Sequence, residues 1–227
     1  MELAIDTSTD IASLALSCEG NVVAETTWRA GQNHTLQLVP NLVDLLRLAK
    51  LDLAGISSLV IATGPGSFNG LRVGMSLAKG LAFALKIPLV GVSTLEVTAY
   101  PYAATMRPVC PIQDAGRGEI ATALFQMKRG EWRRLIEEHI TALDDLLRVV
   151  DVRTVFCGEI PDDVVLQIRE RLGSKALITG GGGNIRRAGY LAELGWRRLK
   201  DGDFDHSPAL QPLYLRRPSI TVSRKGR

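Results

Sequence analysis

Residues 56–74 read ISSLVIATGPGSFNGLRVG, an apolar run followed by a glycine-rich loop and a helical pattern. A glycine-rich loop between a strand and a helix is the context in which backbone NH groups bind phosphate. The loop is not a P-loop, since no Gly-Lys-Ser/Thr follows, and Asn69 replaces the last glycine of GxGxxG. We interpret it as a functional loop that approaches another group closely, with a plain tight turn as the alternative. The motif comprises Gly64, Pro65, Gly66, Ser67, Phe68, Asn69 and Gly70.

On either side of this loop, the patterning predicts a mixed sheet covered by helices. Residues 2–28 contain an apolar segment and two alternating segments, which predict three short strands. Helical patterns follow over residues 35–51 and 70–86, with a strand over 87–92 after the second. Ser93-Thr94-Leu95-Glu96 has the pattern of a capping box that begins a third helix.

Residues 100–108, YPYAATMRP, predict a boundary between two lobes, because two prolines coincide with a change in polarity. We assign residues 1–104 to an N-terminal lobe and residues 105–227 to a smaller C-terminal lobe. The second lobe again begins with strands around an acidic turn, at residues 114–118, and continues with helices and strands. This order is a weak internal echo of the first lobe.

Composition and charge exclude several classes of protein. The chain has 227 residues, of which 46% are hydrophobic and 22% charged, so extensive disorder is excluded. A net charge of +3 is too small for a general polyanion binder. The basic residues over 216–227 predict either a solvated tail or a weak contact to RNA or phosphate. Since neither a signal peptide nor an apolar stretch of membrane-spanning length is present, we expect a soluble cytoplasmic protein that does not bind membranes.

Residues typical of metal sites and catalysis are scarce. Cys18, Cys110 and Cys157 lie in strand-like segments without a CxxC pair, so we expect three buried, reduced thiols. A helical histidine pair needs a second histidine four residues after the first, and Leu38 stands four residues after His34. We therefore predict that this chain has no metal site and no catalytic residue of its own.

Asp6, Thr7 and Ser8 close the first predicted strand. A carboxylate and two hydroxyl groups at a strand end could hold a metal-bound phosphate. The alternative is a local turn, which short polar side chains favour by bonding to their own backbone.

The first two helices are apolar on two sides. Apolar residues in the first helix cover an arc of roughly 180°, whereas packing on one sheet needs only about 100°. The second helix has a narrow polar stripe and many small residues. We interpret the pair as an interface with another protein, with an internal sandwich as the alternative, and expect Leu45→Glu or Gly74→Arg to weaken dimerisation without unfolding the chain. The predicted interface comprises Leu38, Leu42, Leu45, Ala49, Arg72, Val73, Gly74, Leu77, Gly80, Leu81 and Ala84.

Several of these motifs resemble the TsaB (YeaZ) family. They are AIDTST at residues 4–9, TGPGSFNGLRVGMSLAKGLA at 63–82, PLVGVSTLE at 88–96, DAGRGEI at 114–120 and PLYLRR at 212–217. The resemblance implies an α/β fold of the actin/Hsp70/sugar-kinase-like (ASKHA) type, with two related lobes of mixed sheet and a degenerate second lobe. By the same resemblance, Asp6, Thr7 and Ser8 correspond to one phosphate loop of that fold and Asp114 and Gly116 to the other, both as a vestigial nucleotide site.

The resemblance also implies a function. The family supplies a non-catalytic subunit for N6-threonylcarbamoylation of the adenosine next to the anticodon in tRNA. Its members pair through their first two helices with the catalytic paralogue TsaD, join the ATPase TsaE in a larger complex, and form homodimers when alone. Partner subunits hold ATP or ADP and a metal, and tRNA is contacted only indirectly.

Two other functions remain as alternatives from the residues. One is an autonomous ATP-dependent enzyme of the sugar-kinase type, which would use Asp6 and Asp114 around a magnesium nucleotide. The other, more remote, is a glycoprotease, although the sequence offers no nucleophile and base as a recognisable pair.

Overall fold

Two five-stranded mixed sheets form the framework of the computed structural model, which describes residues 1–205 and 208–216. The first sheet has the order β3-β2-β1-β4-β5, with β1 and β2 antiparallel and β1 and β4 parallel. Its strands are β1 (Glu2–Asp6), β2 (Ile11–Cys18), β3 (Asn21–Arg29), β4 (Ser58–Ala62) and β5 (Leu89–Val92). The strands of the second sheet are β6 (Val109–Gly116), β7 (Glu119–Lys128), β8 (Glu131–Ala142), β9 (Thr154–Gly158) and β10 (Ala176–Ile178).

Within residues 1–205 and 208–216, six α-helices connect and cover these strands. They are α1 (His34–Leu48), α2 (Phe68–Leu85), α3 (Thr94–Ala99), α4 (Leu143–Val149), α5 (Asp162–Leu172) and α6 (Ala188–Lys200). The helices and strands predicted from the sequence are confirmed, with ends displaced by a few residues. Within the described ranges, none of these helices combines the length and apolar character needed to cross a membrane.

The internal echo predicted from the sequence is present as a repeated topology. The second sheet has the order β8-β7-β6-β9-β10, which is the order of the first sheet with the second set of strands. In each half, three antiparallel strands are followed by two helix-strand units and a final helix. The two related lobes of mixed sheet that the family resemblance implied are therefore confirmed.

The last helix of each half packs on the sheet of the other half. The short helix α3 contacts β6, β7 and β9, and α6 contacts all five strands of the first sheet. The side chains of α6 complete an apolar layer with Ala4, Val60 and Val90. Residue 104 thus lies between the two sheets in the sequence, while α3 packs on the second sheet and α6 on the first.

Helices on both faces explain why the central strands are continuously apolar. Helices α1 and α2 cover one face of the first sheet and α6 covers the other. Every residue of β1 and β4 is buried as a result. Parallel strands with both faces covered need apolar side chains on both, which removes the alternation seen in half-exposed strands.

The helix predicted to begin at residues 93–96 is confirmed as α3, but the capping box predicted there is wrong, because its side-chain hydrogen bonds are not formed. Within the part of the chain that the structure describes, the Ser93 hydroxyl has no hydrogen-bond partner. Glu96 faces Arg134 of β8 instead, with 3.2 Å between Oε2 and the guanidinium. Burial raises the pKa of the Glu96 carboxyl, and Arg134 opposes that shift. The side chain that local spacing assigned to a cap therefore joins the two lobes.

The cysteines are not all buried as predicted. Cys110 and Cys157 are buried, but Cys18 is exposed because it ends β2 at the turn into β3. Burial raises the pKa of the Cys110 thiol to about 11 and that of Cys157 well above its ordinary value.

We expect a thiol reagent such as DTNB to modify one cysteine of the native chain at pH 8, and three after denaturation. The thiolate is the reactive species, so the raised pKa values protect Cys110 and Cys157 as much as burial does. A Cys18→Ser variant should lose the fast reaction completely. A native chain that releases two or three equivalents of thionitrobenzoate at the same rate would contradict the buried state of the other two thiols.

Candidate functional site: a sealed Asp6 turn and an exposed helix pair

Both oxygens of the Asp6 carboxylate accept hydrogen bonds from other groups of the chain. The backbone NH and hydroxyl of Ser8 donate to Asp6 Oδ1 at 2.9 and 2.5 Å. The Nε of Arg186 donates to Asp6 Oδ2 at 3.1 Å. Asp6 has no solvent-accessible surface. Both oxygens that could bind a magnesium ion are thus already occupied.

The glycine-rich loop packs on this same turn. The NH of Ser67 donates to the carbonyl of Ser8 at 2.7 Å, and Thr7 Oγ1 donates to the carbonyl of Gly70 at 2.7 Å. A Cβ atom at Gly66 or Gly70 would overlap the carbonyl oxygens of Ser8 and Thr7. The close approach predicted for these glycines is therefore real, but the group approached is the chain's own Asp6–Ser8 turn.

A cleft of about 970 Å³ lies between the lobes, beside these two loops. Asp114, Glu159 and Arg186 line it, together with the end of the glycine-rich loop. Asp114 is exposed, and its Oδ1 accepts a hydrogen bond from the NH of Gly116 at 2.8 Å. This bond closes a local turn over residues 114–116. Since both Asp6 oxygens are bonded to Ser8 and Arg186, the first loop does not offer the carboxylate that the sugar-kinase alternative requires for a magnesium nucleotide.

The histidine that opens α1 has a structural role. His34 is buried, and its Nε2 lies 2.8 Å from the carbonyl oxygen of Thr9. Among the residues described, no three His, Cys, Asp or Glu side chains are grouped as a metal site would require.

Part of the predicted partner surface lies in the core of the chain. Leu38, Leu42 and Leu45 pack in the apolar layer under α1 and α2, and Gly74 lies against Thr7 and Ile61. These four residues face the sheet and cannot contact a partner. The expectation that Leu45→Glu or Gly74→Arg would leave the chain folded was wrong, because each would place a charge inside the core.

The outer sides of the same helices are exposed and apolar. On α1, Leu36 is 75% exposed, and Val39 and Val43 follow on the same side one and two turns later. On α2, Phe83 is 87% exposed. The remaining residues of the predicted surface lie at or beside this outer side: Arg72, Gly80 and Ala84 exposed, and Ala49, Val73, Leu77 and Leu81 half-buried. We name the outer sides of α1 and α2 the helix-pair surface.

The C-terminal segment borders one edge of the helix-pair surface, which sequence patterns did not reveal. Arg72 stacks on Phe68 at 3.7 Å, and its Nε donates to the Tyr214 hydroxyl at 3.3 Å. Lys79 donates to the carbonyl of Pro208 at 3.3 Å. Arg216 then bonds to the carbonyl of Ala115 at 3.1 Å, so the segment crosses between the lobes.

One expectation from the sequence lies mostly outside the described residues, and one buried residue was not predicted at all. Of the basic residues predicted over 216–227, only Arg216 is among the described residues, and the RNA or phosphate contact therefore stays a prediction. Arg186 was missed altogether. It lies 180 positions from Asp6, and no local pattern marks it.

Comparison with known proteins gives a consistent picture. Residues 21–154 match the family described as TsaD, tRNA N6-adenosine threonylcarbamoyltransferase. The chain is 34% identical over 217 residues to the tRNA threonylcarbamoyladenosine biosynthesis protein TsaB of Bacillus subtilis (strain 168), covering 94% of this chain and 93% of that protein. It is 37% identical over 134 residues to TsaB of Escherichia coli (strain K12), covering 57% of each.

Solved structures agree with the sequence comparison. The crystallised YeaZ from Pseudomonas aeruginosa superimposes with a TM-score of 0.80 at 26% identity, covering 94% of this chain and 99% of that one. The ethanolamine utilization protein EutJ from Carboxydothermus hydrogenoformans shares the fold alone, with a TM-score of 0.51 at 12% identity.

Proposed function

Because the chain belongs to the TsaB (YeaZ) family of tRNA threonylcarbamoyladenosine biosynthesis proteins, we propose that it is the non-catalytic partner of TsaD in that pathway. It binds TsaD through the helix-pair surface and holds it in the active conformation. TsaE joins the assembly, the partner subunits hold ATP or ADP and the metal, and tRNA is contacted through them in the cytoplasm. Without TsaD, the chain pairs with a second copy through the same surface.

The observation that carries this proposal is a contrast between two regions of one lobe. The Asp6–Ser8 turn is satisfied by bonds within the chain, with Asp6 held by Ser8 and Arg186. The helix-pair surface instead exposes large apolar side chains such as Leu36 and Phe83. Exposed apolar surface of this kind is typical of a protein interface. A chain built in this way binds a partner and leaves the chemistry to it.

The small residues of α2 support a helix-to-helix contact. Gly80 and Ala84 are small, and they lie on one side of the helix with Val73 and Leu77, since the four recur every three or four residues. Gly80 has open space beside it within the described part of the chain, so another helix can approach the backbone there. Large side chains on α1 beside small ones on α2 give a surface of ridges and grooves for helix packing.

The test of function is the threonylcarbamoyladenosine content of tRNA. We expect tRNA from a host depleted of this chain to lose the modified nucleoside, as measured by mass spectrometry of digested tRNA. Supplied with TsaE and threonylcarbamoyl-AMP as donor, the purified chain with TsaD should restore it in vitro, and the chain without TsaD should not. Formation of the nucleoside by this chain alone would overturn the non-catalytic role.

A charge placed on the helix-pair surface should break the association. We expect Val43→Glu to weaken binding to TsaD, and self-association, at least about tenfold, because the carboxylate would be desolvated without a partner. Val43 is 47% exposed in the free chain, so the fold should survive. Sedimentation and calorimetric titration measure both effects.

The matched control is Leu166→Glu on α5 of the second lobe, where the leucine is 58% exposed. It likewise replaces an exposed aliphatic residue with glutamate, on a surface outside the proposed interface, and should bind TsaD normally. Equal loss in both variants, or in neither, would show that the helix-pair surface is not the interface.

A further inference from the structure

Arg186 lies buried at the point where the two lobes meet, immediately before the residue that caps α6. Its side chain is 4% exposed. The guanidinium donates from Nε to Asp6 Oδ2 at 3.1 Å and from Nη1 to Glu159 Oε1 at 3.3 Å. Its Nη2 donates to the hydroxyl of Thr9.

These three oxygen atoms come from three separate segments of the chain. Asp6 ends β1, Thr9 lies in the turn before β2, and Glu159 follows β9 of the second sheet. Two carboxylates and a hydroxyl converge on one positive group. Oxygen ligands of this kind are those that Mg²⁺ and Mn²⁺ bind.

A buried carboxylate needs a positive partner, and there is room beside Asp6 for either a guanidinium or a metal ion but not for both. Asp6 is completely buried, so without a cation its charge would be uncompensated. The guanidinium fills the space between the three oxygens. A metal ion could reach Asp6 Oδ2 only by displacing it.

We propose that the Arg186 guanidinium is a built-in counter-cation, which takes the position that Asp6, Thr9 and Glu159 would otherwise offer to a divalent metal ion. The chain thereby excludes metal from its first phosphate loop and uses the same oxygens to tie the two lobes together. This inference concerns the cleft and does not depend on the helix-pair surface or on TsaD.

The experiment measures Mn²⁺ binding by electron paramagnetic resonance of the free ion, on the full chain without nucleotide. The variant Arg186→Met removes the charge and keeps a long apolar side chain. We expect it to gain one Mn²⁺ site that binds at least tenfold more tightly than any site of the wild type. Adding Asp6→Asn to this variant should abolish the gain.

Arg186→Lys is the control for charge. Its ammonium group still neutralises Asp6, so this variant should exclude Mn²⁺ as the wild type does. Mn²⁺ should also raise the melting temperature of Arg186→Met by several degrees and leave the wild type and Arg186→Lys unchanged.

Several results would overturn the proposal. One is a folded Arg186→Met chain that gains no Mn²⁺ site, and another is a wild type whose Mn²⁺ binding is lost in Asp6→Asn. If Arg186→Met does not fold alone, recovery of the fold with Mn²⁺ would support the proposal. Failure to fold with Mn²⁺ would contradict it, whether or not the double variant Asp6→Asn/Arg186→Met folds.

Discussion

Replacing Arg186 with methionine is expected to lower the free energy of unfolding by about 3–5 kcal/mol, the usual loss when one partner of a buried ion pair is removed. The guanidinium is 4% exposed and the Asp6 carboxylate 0%, so water cannot take over the lost contact. Urea unfolding followed by circular dichroism, with EDTA present and protein concentration held constant, measures the effect.

An exposed arginine ion pair is the matched control. Arg148 pairs with Asp145, and the two side chains are 71% and 60% exposed. Exposed ion pairs contribute about 0–1 kcal/mol, so Arg148→Met should cost no more than that. Equal losses in the two variants would show that the Arg186 contact is not energetically distinct.

A double-mutant cycle then separates charge from packing. In the variant Asp6→Asn/Arg186→Met both charges are absent, so its loss should be clearly smaller than the sum of the two single losses. Additive losses would mean that the two side chains stabilise the chain independently, and the ion pair would lose its assigned importance.

Gly70→Ala is expected to destabilise the chain by about 3 kcal/mol, since the added methyl group is forced against a well-packed neighbour. Helix propensity alone predicts the opposite, because alanine is favoured over glycine in helices by about 1 kcal/mol. The neighbour here is the carbonyl oxygen of Thr7, a backbone atom in a buried turn that cannot rotate away.

Gly80→Ala in the same helix tests the argument directly. Within the described residues, a Cβ atom there would meet nothing within 4 Å. We expect this variant to gain about 1 kcal/mol when it is unfolded at a protein concentration at which the chain is monomeric, as propensity predicts for a position exposed in the free chain. Denaturant unfolding of both variants decides the matter, and a stabilised Gly70→Ala chain would refute the close packing of α2 on the Asp6–Ser8 turn.

The Arg186 and Gly70 predictions both concern the contact between the Asp6–Ser8 turn and the glycine-rich loop. A turn with a carboxylate and hydroxyls and a loop rich in glycine have the composition of a phosphate site, yet here they bind each other. Ser67 and Thr7 supply the bonds between them, at 2.7 Å each. Arg186 then completes the charge balance from the far end of the chain. In this lobe the Asp6–Ser8 turn and the glycine-rich loop therefore serve as internal packing.

Much of the fold could be predicted because it is encoded in short stretches. The alternation in residues 11–28 marks β2 and β3, and the apolar spacing over 34–48 marks α1, since each pattern is complete within one element. The two apolar sides of α1 and α2 were also readable. The side that faces the sheet could not be predicted, because both sides are apolar. Only packing against the sheet makes Leu38, Leu42 and Leu45 the core residues.

By itself, the sequence determined the order of strands and helices, the family motifs and the scarcity of metal ligands, and it indicated the repeated halves only as a weak echo. Tertiary structure alone decided that α3 and α6 exchange lobes, that Gly66 and Gly70 approach a neighbouring turn, and that Arg186 meets Asp6. The physical reason is range: periodicity and turn chemistry act over a few residues, whereas burial of a charge depends on which distant segments the folded chain brings around it.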